Sequence, residues 1–410
     1  MRNESTVKWG SAGLLACAVI ASLLLVTVTV ADDSEAVGST IFDNWSEYEV
    51  TAPGEVSLTK ISGTLTTMKI PETISDGTND YTVTAIASEA GLKNALIQTV
   101  TVPSTVKSIG DRAFMNCNRL FTVELSDGLQ SIGAQAFYGC KYLSDLNLQD
   151  ATALTSIGDE AFYDCRSIKT LTLPSSLTSL GTNVFDGCKK LSDIHSESSA
   201  FINLTVDEKN VGLMSSGSTV LYAVWSGGPK EITIPATVTT YRCSMSGVNF
   251  EKVTMTGNGS PVSVGLSNSL VTPSSALSSE LSGSQFTLYL KRLTSDIPGA
   301  IKNTAGAYDV YQFTPTLPEG KSGEYQIWLL SNNKYYTPYE ISESGEKTQL
   351  EYSYEDGYYK FTVGGAAYLS LMSENKSLIP NAQEIGIALI IVGTVIAVLM
   401  ALVNHRRYGA

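Results

Sequence analysis

His195 is the one histidine between the two apolar ends of this 410-residue chain; the other, His405, sits in the last few residues. A Ser-His-Asp or Cys-His arrangement therefore has a single possible base, with Asp193 as its neighbouring carboxylate. Carboxylates are plentiful, 40 in all, but no two stand in a recognisable acid–base context. The sequence holds no phosphate loop, no calcium loop and no Gly-x-Gly-x-x-Gly fingerprint, so no cofactor is implied. The expectation is a protein that is not an enzyme, with His195 exposed on its surface.

The other reactive side chains are cysteines, and their spacing carries the information. Cys117, Cys140, Cys165 and Cys188 follow one another at steps of 23, 25 and 23 residues. No Cys-x-x-Cys pair exists and histidine is nearly absent, which excludes a zinc site. Two readings are open: small buried hydrophobes on an inward rhythm, or disulfides between stacked neighbours in an exterior compartment. Cys243 makes five cysteines outside the first apolar segment, and an odd number argues against full pairing.

The cysteines belong to a repeated phrase. Ser108-Ile109-Gly110, Ala113-Phe114, Cys117 and Val123-x-Leu125 return from Ser131, from Ser156 and, more loosely, from Ser179. A fixed period of this length means stacked supersecondary units, each covering the apolar face of the next. Ala113, Phe114, Cys117 and Leu120 are spaced by three and four, which predicts a helical element. Thr122-Val123-Glu124-Leu125 and its counterparts alternate, which predicts a short strand and, on stacking, a small parallel sheet. Counting back one period from Cys117 reaches Asn94, so 85–107 is a degenerate copy with asparagine in the cysteine slot. The structural ladder is thus Asn94, Cys117, Cys140, Cys165 and Cys188, with Asn94 suited to bonding turn backbones.

The Ser-Ile-Gly-x-x-Ala-Phe-x-x-Cys-x-x-Leu phrase, with its Ile-Pro strand ends, resembles the BspA-type leucine-rich repeat family. Thr66 to Ala87, including Lys69-Ile70-Pro71, is similar to that family's usual first unit. The resemblance implies an α/β leucine-rich-repeat solenoid, and a surface or secreted protein of the kind implicated in adhesion or protein binding. Strand geometry adds a candidate binding row: the middle residues of successive strands, Thr101, Glu124, Asn147, Thr172 and His195, point away from the core. They are flanked by Thr99, Thr122, Asp145, Thr170 and Asp193. The same row also satisfies the simpler need of strands for polar, β-favouring residues outward.

The expected organisation follows the composition. Residues 1–31 form a signal peptide or an uncleaved signal anchor, with a lipoprotein site at Cys17 a poorer fit. Residues 40–83 form a β capping unit and 84–256 the repeats, with an irregular insertion at 196–230. A Ser/Gly-rich linker or worn repeat covers 257–284. Residues 285–374 form a small all-β immunoglobulin-like sandwich, a stalk, on the strength of alternating aromatic runs and a hairpin around Asp356-Gly357. Its tyrosines are either core and cross-strand pairs or a sugar platform. Residues 385–403 lack charge and precede Arg406 and Arg407, the pattern of a C-terminal transmembrane helix with 404–410 as cytoplasmic tail.

The net charge of −13 combines +1 from 1–31, +2 from the tail arginines and −16 from the stretch between, so nucleic acid is not an expected partner. Asn44, Asn203, Asn258 and Asn375 fit the glycosylation acceptor pattern. The functional expectation is a membrane-anchored surface glycoprotein, single-pass with its N-terminal region outside, that recognises an extracellular protein or glycan. The alternative is a structural component of the organism's own envelope or surface layer.

Overall fold

The computed structural model describes residues 37–43, 45–62, 64–225, 229–305 and 308–373. The two apolar ends at 1–31 and 385–403, the tail, Asn44 and Asn375 lie outside these residues. Among the described residues no helix is long and apolar enough to cross a membrane. The chain divides into two compact units. The first runs through Pro229 and takes in Pro235–Val248; the second comprises Lys230–Ile234 and the chain from Asn249.

The first unit is a β-solenoid. Antiparallel strands Thr40–Phe42, Ser46–Ala52 and Glu55–Ile61 open it. Asp80–Ile86 then lies parallel to Glu55–Ile61. From there a parallel ladder continues through Ser108–Ile109, Ser131–Ile132, Ser156–Ile157 and Ser179–Leu180. A second parallel ladder joins Thr67–Lys69, Thr99–Thr101, Thr122–Glu124 and Asp145–Leu146. Each repeat thus contributes two strands, not one. The Ser-Ile strand is only two residues long, too short to show an alternation in sequence.

The predicted helical element is not helical, which corrects the α/β expectation to a β-solenoid. Among the described residues of 84–205 the one helical turn is the 3-10 segment Leu148–Asp150. The reason lies in where the backbone hydrogen bonds go. Arg112, Phe114 and Asn116 donate their N–H groups to Ala134, Ala136 and Tyr138 of the next repeat, at 2.7–2.8 Å. Those donors are not available to carbonyls four residues back. The N–H groups between them close three-residue turns instead, as Met115 does to Arg112 and Cys117 to Phe114. Two left-handed residues per repeat reverse the chain locally, Arg112 and Asn116 in one copy, Gln135 and Gly139 in the next. The three-and-four spacing survives because these turns, like a helix, aim Ala113, Phe114, Cys117 and Leu120 inward, and all four are fully buried. The glycine of Ser-Ile-Gly answers a close approach: a Cβ on Gly110 would stand 2.5 Å from the backbone nitrogen of Ser88 in the preceding turn.

Apolar side chains repeat along the stack. Phe114, Phe137, Phe162 and Phe185 stack face to face with centroids 5.4, 5.4 and 6.0 Å apart. The second ladder breaks after Asp145–Leu146, where the 25-residue step places the 3-10 turn; Thr170–Leu173 and Asp193–Ser196 pair separately. The expected irregular stretch 196–230 carries antiparallel strands Phe201–Val206, Lys209–Ser215 and Val220–Val224.

The second unit is built mainly of antiparallel strands in two sheets. One sheet orders Lys252–Thr256, Gln285–Leu293, Val310–Phe313, Ala367–Met372 and Thr337–Ile341. The other orders Val264–Leu266, Ser269–Pro273, Tyr325–Leu330, Tyr358–Val363 and Tyr352–Glu355. The hairpin turn at Asp356-Gly357 has both residues left-handed, at φ 50° and 85°, as a two-residue hairpin loop requires. Two boundaries differ from the sequence expectation. Residues 257–284 are part of this unit: Val264, Leu266 and Val271 are buried in a hairpin whose Ser267-Asn268 turn is left-handed. Lys252–Thr256, at the end of the expected repeat array, lies parallel to Glu231–Thr233 as a repeat strand would, and its other edge pairs antiparallel with Gln285–Leu293 in this unit.

Candidate binding surface of the repeat stack

The thiols of the ladder face inward and act on backbone. Cys117 donates to the carbonyl of Gly91 at 3.0 Å, Cys140 to Phe114 at 3.1 Å, Cys165 to Phe137 and Cys188 to Phe162 at 3.2 Å. All five described cysteines, Cys243 included, are free and buried. Burial pushes the Cys140, Cys165, Cys188 and Cys243 thiols well above their usual range, so these carry no reactive thiolate. In the cysteine slot of the first copy, Asn94 donates to Ser62 and accepts from the N–H groups of Leu96 and Ile97. Each ladder position thus fastens its turn to the one before.

The strand row is present in two pieces. Thr101 sits opposite Glu124 across the ladder, and its hydroxyl donates to Glu124 Oε2 at 2.9 Å. Lys69, which the sequence row did not include, is the next member on the other side of Thr101. Thr172 and His195 are register partners in the separate pair of strands. Asn147 does not belong to an outward row: its amide turns in and pairs with the backbone of Leu125. His195 is exposed. Asp193 Oδ1 accepts from Asn210 Nδ2 at 3.0 Å. Among the described residues no group of three His, Cys, Asp or Glu side chains could hold a metal ion.

Residues 84–205 match the BspA-type leucine-rich repeat region in six copies. That span consists of BspA-type leucine-rich repeats. Among solved structures, a leucine-rich cell surface protein of Faecalibacterium prausnitzii is 23% identical at a TM-score of 0.38, over 58% of this chain and 59% of its own. The pneumococcal vaccine antigen PcpA is 23% identical at 0.40, over 52% of this chain and 65% of its own. A Treponema pallidum leucine-rich repeat protein is 22% identical at 0.35, over 50% and 81%. This chain therefore spans less than two thirds of the length of the Faecalibacterium and pneumococcal chains. No curated protein sequence matches it.

Exposed rings stand out on the BspA-type stack. Phe121 and Tyr142 stand exposed side by side, with ring centroids 5.7 Å apart. Sequence reasoning missed them, although a signal existed: the residue after the buried leucine or isoleucine is Gln98, Ser144, Lys169 or Ser192 in the other copies, so Phe121 departs from the repeat. Of the described acceptor asparagines, Asn258 is half-buried and its Oδ1 takes the N–H of Ser260. Asn203 lies within the strand Phe201–Val206, and its Oδ1 is buried without a partner.

Asp186 is the one strongly shifted carboxylate among the described residues. It accepts the N–H of Ser244 at 2.6 Å. Burial pushes its pKa up to about 7, the Ser244 bond opposes that rise, and the charge of Glu160 adds to it. The Cys188 and Cys243 thiols that feel its charge are themselves kept neutral by burial, so the effect of Asp186 is on stability.

Proposed function

We propose that this chain is a non-catalytic cell-surface recognition protein, whose repeat stack binds an extracellular protein or glycan. The observation that carries the proposal is the division of labour within the repeat. Inward thiols and amides are occupied in joining turn to turn, while the two pieces of the outer row and the exposed rings face solvent. Repeat surfaces of this kind recur as binding faces, and BspA-type repeats are typically non-enzymatic. His195 fits the same role, since it is exposed on the outer row beside Thr172. The terminal apolar segments fit secretion and a single membrane span, so modest affinity would be multiplied by many displayed copies.

Crosslinking on intact producing cells, alone and mixed with other cells, tests the role. Capture of foreign surface proteins or glycoproteins is expected. It should fall when Glu124→Arg and Thr172→Arg are combined in a variant of unchanged circular dichroism. Capture of self envelope proteins alone would replace recognition by a structural role in the organism's own surface.

A further inference from the structure

On an acidic chain, the repeats gather their cations at one edge. Arg119, Lys141, Arg166, Lys169, Lys189 and Lys190 all lie within four residues after a ladder cysteine, and all six are exposed. Register along the edge is fixed by the backbone: Phe121 donates to Gln98, Ser144 to Phe121 and Ser192 to Lys169, at 2.8–3.0 Å. Successive turns are about one strand spacing apart, ~4.8 Å. Among the described residues, Arg166 alone of the six is drawn into an ion pair, with Asp164 at 2.6 Å.

Acidic residues at the start of the same turns have a structural task instead. Asp111 Oδ1 accepts the N–H of Ala134 at 2.7 Å, and Asp159 Oδ1 that of Thr182 at 2.6 Å. Five of the six cations have no ion-pair partner among the described residues, and they are concentrated where they repel one another. Such a patch attracts a partner of opposite sign and holds it in a salt-dependent way. The same edge carries the exposed rings of Phe121 (42%) and Tyr142 (55%), with Leu96 one turn further along.

We propose that the cysteine-turn edge, from Leu96 to Lys190, binds an anionic polysaccharide. The inference rests on the recognition role above and assigns the polysaccharide contact to this edge, beside the contacts of the strand row. An acidic peptide would satisfy the cations but gives no particular use to two open ring faces beside them. A pyranose bearing a carboxylate or sulfate offers an apolar C–H face and a negative charge on one ring, which matches rings and cations on adjacent turns.

The test uses the full chain against immobilised alginate, dextran sulfate, uncharged dextran and poly-glutamate, at low and at moderate salt. Binding to the two anionic polysaccharides but not to dextran is expected, weakening roughly tenfold as salt screens the edge. The triple variant Lys141→Glu, Lys189→Glu, Lys190→Glu should lose about tenfold or more in affinity. Lys190→Glu alone, with a loss of about threefold, serves if the triple fails to fold. Phe121→Ser with Tyr142→Ser should weaken alginate binding and leave any poly-glutamate binding unchanged. Tighter binding of poly-glutamate, indifferent to the two rings, would overturn the polysaccharide in favour of an acidic protein segment. A chain that binds no polyanion yet still captures foreign cells would overturn the edge while leaving the recognition role intact.

Discussion

The side chain of Asn147 replaces a strand for Leu125. In the preceding repeats the N–H after the strand bonds to backbone: Ile70 to the carbonyl of Thr101 at 3.1 Å, Val102 to that of Glu124 at 2.8 Å. One turn later the N–H of Leu125 goes to Asn147 Oδ1 at 2.7 Å, and Asn147 Nδ2 returns a bond to the Leu125 carbonyl at 3.1 Å. The amide thus closes the ladder where the two extra residues of the 25-residue copy carry the backbone into a 3-10 turn. Asn147→Ala would strand a donor and an acceptor at a residue that is buried. It should lower stability by about 1–3 kcal/mol, read as a shift in urea midpoint. An unchanged midpoint would mean that water serves Leu125 equally well.

Gly133 tests how tightly the turns nest. A Cβ there would lie 2.7 Å from the backbone nitrogen of Asp111 and from the carbonyl carbon of Gly110, neither of which can move without parting two repeats. Gly133→Ala should cost about 1–3 kcal/mol. Gly364→Ala, at a position with nothing within 4 Å, should stay within about 0.5 kcal/mol. Equal effects in thermal melts would show that the stack relaxes freely.

What the sequence made legible was the side of each residue that faces in. Period and burial agree for Phe114, Cys117, Leu120 and Val123, because repetition reports inward side chains whatever the backbone does. The backbone itself was not legible. Whether the N–H of Phe114 turns to a carbonyl four residues back or to Ala136 depends on a neighbour 22 residues away, so the turns were read as helix. The candidate row failed at Asn147 for a related reason. Alternation places a residue outward only while the strand lasts, and this strand ends at Leu146. The strand Lys252–Thr256 kept its repeat-like pattern and still joined the second unit, since a short alternating run fits any sheet with one buried face.

The thiol ladder should be silent in the native state. Cys117, Cys140, Cys165, Cys188 and Cys243 are buried, and burial holds at least four of the thiols in their neutral form at pH 8. In a Cys17→Ser background, native protein should give essentially no reaction with a disulfide reagent, and urea should release all five thiols. Mass spectrometry without reductant should find no bond between ladder cysteines. Fast native labelling of any ladder thiol would show that the turns open far more readily than their hydrogen bonds imply.

Asp186 gives the repeats a pH dependence whose sign is opposite to that of a salt-bridged carboxylate. Its pKa stands at about 7 in the fold against 3.8 for an ordinary aspartate, so the folded chain holds the proton more tightly. Stability from this group is greatest below the unfolded value, falls as pH rises between the two values, and levels off above about 7. Asp186→Asn keeps an oxygen to accept the Ser244 N–H and removes the buried charge. The variant should therefore match the parent near pH 4 and exceed it at pH 8 by about 1–3 kcal/mol, part of the shift being offset by solvent at a half-buried group. Urea midpoints at pH 4, 6 and 8 would read this directly. A variant less stable than the parent at pH 8 would mean that the charged carboxylate holds Ser244 more strongly than burial opposes it.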